Sequence, residues 1–415
     1  MAAAVEQLGF RDVMKLVPVR RLWMAQVVSV FGDFLAIFAV FSIVSFRMHA
    51  PAEQVSLILV AYFLPLVFIS PFAGVLVDSW NVGRTMIASD LIRAVLALLL
   101  LAAGNLFSIY SILFAISTVS SFFMPAQQVA IRTLVPSQGI LSANALFQQA
   151  FQVMQIVSPA IAGALVAAFR PESCFWIDSV SFVFSAAVVS TIAIVREPAP
   201  HGAQARSVFS SMAEGLRFIV ENRAISFVIV SMTAGMFAIR CYGALIAVYV
   251  RDVLREGTSL FGILGSLVGI GMIAGTQLIH RAGRKYSKQR LAIYGLFGIA
   301  ASIALLAAAG TKAAAIAGTV GIGFFVAFVI VPCQTLMLEE TPPHLIGRIG
   351  GTFMSVIFAA QVAALAGSGA IANRLGIRNL YLAAAFSLAA IAALGLFWTS
   401  VTPPAAQPAV EPGEV

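Results

Sequence analysis

Residues 27–41, VVSVFGDFLAIFAVF, hold a single charge, Asp33. Residues 227–250, FVIVSMTAGMFAIRCYGALIAVYV, likewise hold one, Arg240. Each run is long and apolar enough to sit inside a bilayer, where an ionised Asp or Arg costs about 2.5–3.5 kcal/mol even on the mildest scale. Such a group faces a wet cavity or an opposite charge. The two runs lie half a chain apart, so the pair points to a transport pathway and away from a soluble fold.

Composition agrees. The chain has 415 residues, 60% of them hydrophobic and 10% charged, with a mean hydropathy of +0.98. Soluble domains carry about 25% charge. The apolar runs are continuous and do not alternate in strands of about ten residues, which argues against a β-barrel. With about 20 residues per span, twelve helices are expected: 22–46, 55–77, 85–103, 106–128, 141–169, 174–195, 224–250, 259–279, 291–309, 313–338, 349–372 and 380–401.

The expected organisation is an all-α membrane protein of two pseudo-symmetric six-helix bundles, residues 1–195 and 224–401. A linker at 196–223 joins them, with Phe209, Met212, Leu216 and Ile219 on one face of an amphipathic helix. The Pro-rich tail, 402–415, is expected to be disordered.

Basic residues orient the chain. With both termini cytoplasmic, 16 of the 25 lysines and arginines fall on the inner side and 7 on the outer, with Arg93 and Arg240 inside spans. This is the positive-inside asymmetry. The net charge of +8 therefore sets topology and does not imply nucleic acid as a partner. Cys174, Cys241 and Cys333 are scattered, without metal or disulfide spacing. The four histidines fall in or near loops, and no cofactor is implied. The first apolar run is too long for a cleavable signal and lacks a small-residue cleavage site.

An internal repeat supports two halves. FFMPAQQVAIRTLVP, 122–136, and FVIVPCQTLMLEETPP, 328–343, share Pro-x-Gln followed by a second proline. Pro125 and Pro136 are spaced as Pro332 and Pro343 are, and Pro125 is separated from Pro332 as Asp33 is from Arg240. Gly83-Arg84 is echoed by Gly283-Arg284. Repeated six-helix halves are a transporter signature.

The stretch GVLVDSWNVGRTMIASDLIRA, 74–94, resembles the Gly-x-x-x-Asp…Gly-Arg motif of the major facilitator superfamily, with Ser79 where a basic residue is usual. SDLIRA, LVPSQGILSANAL, CFWIDSVSFVFSA and PPHLIGRIGG are similar to its macrolide-efflux and enterobactin-exporter branch. The resemblance implies a gating motif of Gly74, Asp78, Gly83, Arg84, Asp90, Arg93, Arg132 and Arg348. In it, Asp78 would meet the start of the eleventh helix, where a dipole favours a carboxylate. Asp90 and Arg93 form an i,i+3 pair. Ser158-Pro159-x-x-Ala162-Gly163 resembles a degraded antiporter motif that allows close approach and a bend.

Gln148, Gln152 and Gln155 share a helical face in the fifth span. They look either into a cavity or toward hydrogen bonds within the bundle. Asp33 and Arg240 are read as cavity residues able to pair transiently between halves, against the alternative of permanent structural ion pairs. Asp178 reads as a structural residue near the outer end of the sixth span, and Glu339 and Glu340 as gate or topology charges. The glycine-rich run GILGSLVGIGMIAG, 262–275, reads as helix packing, since no phosphate-loop lysine follows.

Function is expected to be secondary transport by alternating access in a bacterial inner membrane, by a monomer. Proton-coupled export of amphipathic small molecules of drug, macrolide or siderophore type is the first reading. The alternative is lysophospholipid transport, because FGD in the first span, VDSWNVGR and Arg240 resemble that transporter. A membrane enzyme would need a clustered catalytic constellation, which the sequence lacks.

Overall fold

The computed structural model of the chain describes residues 8–194, 221–282, 286–341 and 346–400. Among these residues are eleven helices long and apolar enough to cross a membrane, and no strand. We label the spans α1 (Val17–Phe41, running on into a π turn, Ser42–Arg47), α2 (Ala52–Phe68 and Ser70–Asp78), α3 (Val82–Leu99), α4 (Leu106–Leu134), α5 (Ile140–Ala168) and α6 (Glu172–Ser190). The second six are α7 (Arg223–Asp252), α8 (Thr258–Ala282), α9 (Lys288–Ala309), α10 (Lys312–Glu340), α11 (Ile346–Leu375) and α12 (Ile377–Ser400). A short helix, Phe10–Lys15, precedes α1.

Eleven expected spans are continuous helices; α2 is broken at Ile69. Pro71, the second residue of the new segment, has no N–H to continue the ladder. The Ile69 amide closes the first segment on Pro65 O at 2.7 Å, and the Phe72 and Ala73 amides start the second from Ile69 O. Elsewhere side chains cap the helices: Asn81, Asn105, Asn222, Ser287 and Thr311 each accept a backbone N–H in the first turn of α3, α4, α7, α9 and α10. Gly310 ends α9 in the left-handed region, φ +59°, where glycine carries no Cβ penalty.

Within the first half α1 packs on α5 and α6, α3 on α4 and α6, and α2 on α4. Within the second, α8 and α9 pack on α10, α9 on α12, and α7 on α10, α11 and α12. The repeat is visible in matched helices: α4 and α10 each have 29 residues and an internal proline, Pro125 and Pro332. The halves meet through α5 on α8, α2 on α11, and α7 on α2 and the π turn.

Among the described residues an even number of spans puts the start of α1 and the end of α12 on one side, called here the terminal side. On the opposite side one apolar cluster joins the halves, with Phe38, Phe41, Val44 and Val55 packed together with Tyr249, Phe261 and Leu365. On the terminal side the first half has its own core, including Val13, Leu22, Met86 and Ile131. The linker stretch 196–220 with its amphipathic face, the tail 402–415, Gly283, Arg284 and Pro343 lie outside the described residues. The same holds for the side chains of Asp78 and Arg348.

Candidate functional site

Asp33 sits mid-span in α1 beside a buried ion cluster. Arg93 of α3 donates to Asp90 one turn earlier on the same helix, and its second terminal nitrogen lies 3.8 Å from Asp33 Oδ2. The guanidinium is held between two rings, 4.5 Å from the Phe123 centroid and 4.3 Å from that of Phe182. A desolvated cation–π contact contributes about 2 kcal/mol. Asp178 of α6 completes the group and is 1% exposed, whereas the Asp33 side chain is 23% exposed. Asp90 and Arg93, expected in the gating motif, are thus grouped with Asp33 in the middle of the first half. Asp178 lies inside the bundle and not at an interfacial end.

Gly32 permits this packing. A β-carbon there would stand 2.6 Å from Asp178 Oδ1 and would strike Ser181 Oγ. Close helix approach through a small residue is the usual device inside membranes. It brings α6 and its carboxyl against the backbone next to Asp33.

Arg240 lies at the boundary between halves. Its Nε donates to Gln361 Oε1 of α11 at 2.6 Å, and its guanidinium covers Phe63 of α2, 4.8 Å from the ring centroid. Among the described residues no ion pair joins Asp33 to Arg240; each has a different partner. Gln361 and Phe63 were not singled out in the sequence, because an amide or aromatic ring within an apolar run carries no mark of its partner.

The most informative surface is one face of α5. Gln148, Gln152, Gln155, Pro159 and Gly163 follow each other at i+3 and i+4 and so share that face. Toward the terminal side it is open: Gln148 and Gln155 are exposed, Gln152 is half-buried, and no hydrogen bond among the described residues engages the three amides. Toward the opposite side it is closed against α8. A β-carbon on Gly163 would stand 3.1 Å from Gly262 Cα, and one on Gly262 would stand 2.5 Å from Pro159 O. The Ala160 amide donates to Ser266 Oγ at 3.0 Å, and Ser158 is fully buried. Gly262, Gly265 and Gly269 face α5, while Gly271 and Gly275 face α10. The glycine run is therefore helix packing on two faces.

Other contacts extend this closure. Phe38 of α1 stacks on Phe261 of α8 with centroids 4.5 Å apart. Arg251, at the end of α7, donates from Nη1 to Ser45 O at 2.5 Å and to Ala50 O at 2.9 Å. Asn373 of α11 donates to Glu53 of α2 at 3.2 Å. The sequence offered Arg251 only as a loop charge. Its role depends on the π turn of α1, which directs the Ser45 carbonyl toward α7.

The remaining motif residues lie on the terminal side. Asn81 caps α3 by accepting the Arg84 amide at 2.9 Å. A β-carbon on Gly83 would meet Asn81 Oδ1 at 3.6 Å, and nothing described lies within 4 Å of one on Gly74. The Arg84 and Arg132 side chains are exposed. Glu339 pairs with Lys288 within the second half. Gln127, from the repeat, donates to Gln26 Oε1 of α1 at 2.5 Å, while its counterpart Gln334 is exposed. Within the second half, Thr233, Phe237, Cys241, Ser368 and Leu388 help line a mostly apolar cavity of about 580 Å3 that does not include Arg240.

A family model described as Major Facilitator Superfamily matches residues 22–365. Over 371 residues the chain is 25% identical to the uncharacterized MFS-type transporter YfiS of Bacillus subtilis, covering 86% of this chain and 87% of that one. It is 26% identical over 382 residues to macrolide efflux protein A of Streptococcus pyogenes, covering 87% and 91%. It is 23% identical over 362 residues to the multidrug efflux pump Tap of Mycolicibacterium fortuitum, covering 84% and 88%. Among solved structures, the nucleoside transporter NupG superposes with a TM-score of 0.71 at 11% identity, covering 92% of this chain and 99% of that one. That likeness concerns the fold alone.

Proposed function

The chain belongs to the major facilitator superfamily, and on that premise we propose that it is a proton-coupled exporter of amphipathic small molecules, of drug, macrolide or siderophore type. The observation that carries this reading is the divided face of α5, with open amides at Gln148, Gln152 and Gln155 and a closed contact at Pro159 and Gly163. A helix face that is open at one end and shut at the other is what a carrier with one-sided access requires. The macrolide and multidrug efflux pumps among its relatives support the substrate class. They lend nothing to the lysophospholipid alternative.

In this reading the monomer sits in a bacterial inner membrane with both termini cytoplasmic, and the open end admits substrate from the cytoplasm or inner leaflet. The glutamines and Arg240 line its path. Residues 1–195 and 224–401 rock against each other as two bodies, joined by 196–223. Release of a proton from Asp33 accompanies substrate binding, and reprotonation from outside resets the carrier. Gly74, Asp78, Gly83, Arg84, Arg132 and Arg348 close the terminal side when the opposite side parts. A differential affinity between the two states is all that coupling needs.

Uptake into everted membrane vesicles tests the reading. An acid-inside gradient is expected to drive accumulation of a macrolide or a siderophore, and an uncoupler is expected to stop it. Uptake that ignores the uncoupler would refute proton coupling.

A further inference from the structure

The ion cluster contains three carboxyls, Asp33, Asp90 and Asp178, around one guanidinium, Arg93. They are not equally compensated. Asp90 has the direct contact with Arg93 through Oδ1, its Oδ2 being buried without a partner, and Asp33 has the second, at 3.8 Å. Asp178 makes no ion pair among the described residues; it is 1% exposed, and its Oδ1 has no hydrogen-bond partner. Arg93 Nε is also buried without a partner, so the guanidinium has not been drawn toward a further acceptor.

Several helices contribute groups around Asp178. On α1 stand Gly32, whose backbone it touches, and Asp33, within electrostatic reach. On α3 stand Asp90 and Arg93; Tyr62 of α2 is in electrostatic reach as well. Phe123 of α4 and Phe182 of α6 enclose the guanidinium. On its own helix, Ser181 donates to the Asp178 backbone carbonyl at 2.7 Å and its hydroxyl is also within reach of the Asp178 carboxyl, while the buried Cys174, one turn earlier, is in electrostatic reach; neither adds a positive charge. One cation cannot neutralise three carboxylates, and a buried carboxylate without a counter-ion takes up a proton.

We propose that Asp178 is a second proton-binding carboxyl, neutral while Asp33 and Asp90 share Arg93, and that it stands behind Asp33 as a proton reserve. The transfer balances: the proton leaves an Asp178 oxygen, one O–H bond breaks, and one forms on Asp33. Asp33 then gives up its pairing with Arg93, and the ionised Asp178 takes over part of that field, so the cluster's net charge is unchanged. The relay rests on the proton-coupled reading above; protonation of Asp178 by itself does not.

Infrared spectroscopy of the purified full chain in liposomes, with neither substrate nor gradient, tests the proton directly. At pH 7 ordinary Asp side chains, with pKa about 3.9, are ionised. The wild-type protein is expected to show a carboxylic C=O band that shifts in deuterium oxide. Asp178→Asn is expected to remove it, and Asp33→Asn to keep it. If Asp178→Asn fails to fold, Asp178→Glu is expected to move the band's frequency. No band in the wild type, a band unaffected by either change at 178, or a band lost only with Asp33→Asn would overturn the proposal. Because the spectrum is read without transport, its failure is distinct from a failure of proton-driven uptake.

Discussion

Gly32 and Asp178 touch where α1 crosses α6, and a β-carbon on Gly32 would stand 2.6 Å from Asp178 Oδ1. Even one methyl group must push α6 away from the ion cluster. Overpacking of this kind costs about 1–3 kcal/mol. Gly32→Ala is expected to lower the thermal midpoint of the purified protein, and Gly32→Val to lower it further. An unchanged midpoint in both would mean that the helices part without cost.

Arg93 holds the first half together through charge and rings at once. Arg93→Ala leaves Asp90 buried without its partner, a change of about 3–5 kcal/mol. Arg93→Lys restores the charge but not the flat contact with Phe123 and Phe182. Thermal unfolding is expected to rank wild type above Lys and Lys above Ala.

Arg251 ties α7 to the end of α1 through two backbone carbonyls, Ser45 O and Ala50 O. A hydrogen bond from a charged donor contributes about 1.5–3 kcal/mol. Arg251→Gln is therefore expected to favour the state that is open on the opposite side. Labelling of a cysteine placed at Ala52 by a membrane-impermeant thiol reagent is expected to rise severalfold.

Gly262 sets the crossing of α5 and α8. A β-carbon there would stand 2.5 Å from Pro159 O and 2.9 Å from Gly163 Cα, both backbone atoms that cannot rotate away. Gly262→Ala is expected to slow export while leaving the protein in the membrane, and Gly104→Ala, where nothing described lies within 4 Å of the added β-carbon, to be milder. Equal rates in both variants would show that the contact does not limit closure.

The twelve spans were legible in the sequence because each needs a long apolar run, and the matched prolines of α4 and α10 announced the two halves. The break at Ile69 was also written there, in Pro71, but a hydropathy window averages across it. The ion cluster was only partly legible. Asp33, Asp90 and Arg93 stand out as charges in apolar runs, yet their grouping depends on which face of α3 meets α1. Asp178 read as a residue near the outer end of its span because it follows the start of α6 closely; contact with Gly32 places it against the middle of α1. Arg240 was evident as a charge, while Gln361 and Phe63 became partners only through packing between distant spans.

The most direct measurement concerns the divided face of α5. Single cysteines at Gln152 and at Ala162, which is fully buried at the closed end of α5, in a background without the native thiols, would be treated with an impermeant reagent from each side. Gln152→Cys is expected to react from the terminal side and Ala162→Cys from neither, with an opposite-side reaction appearing at position 162 during export. A cysteine at 152 that is shielded from the terminal side, or one at 162 that reacts equally from both sides, would contradict this.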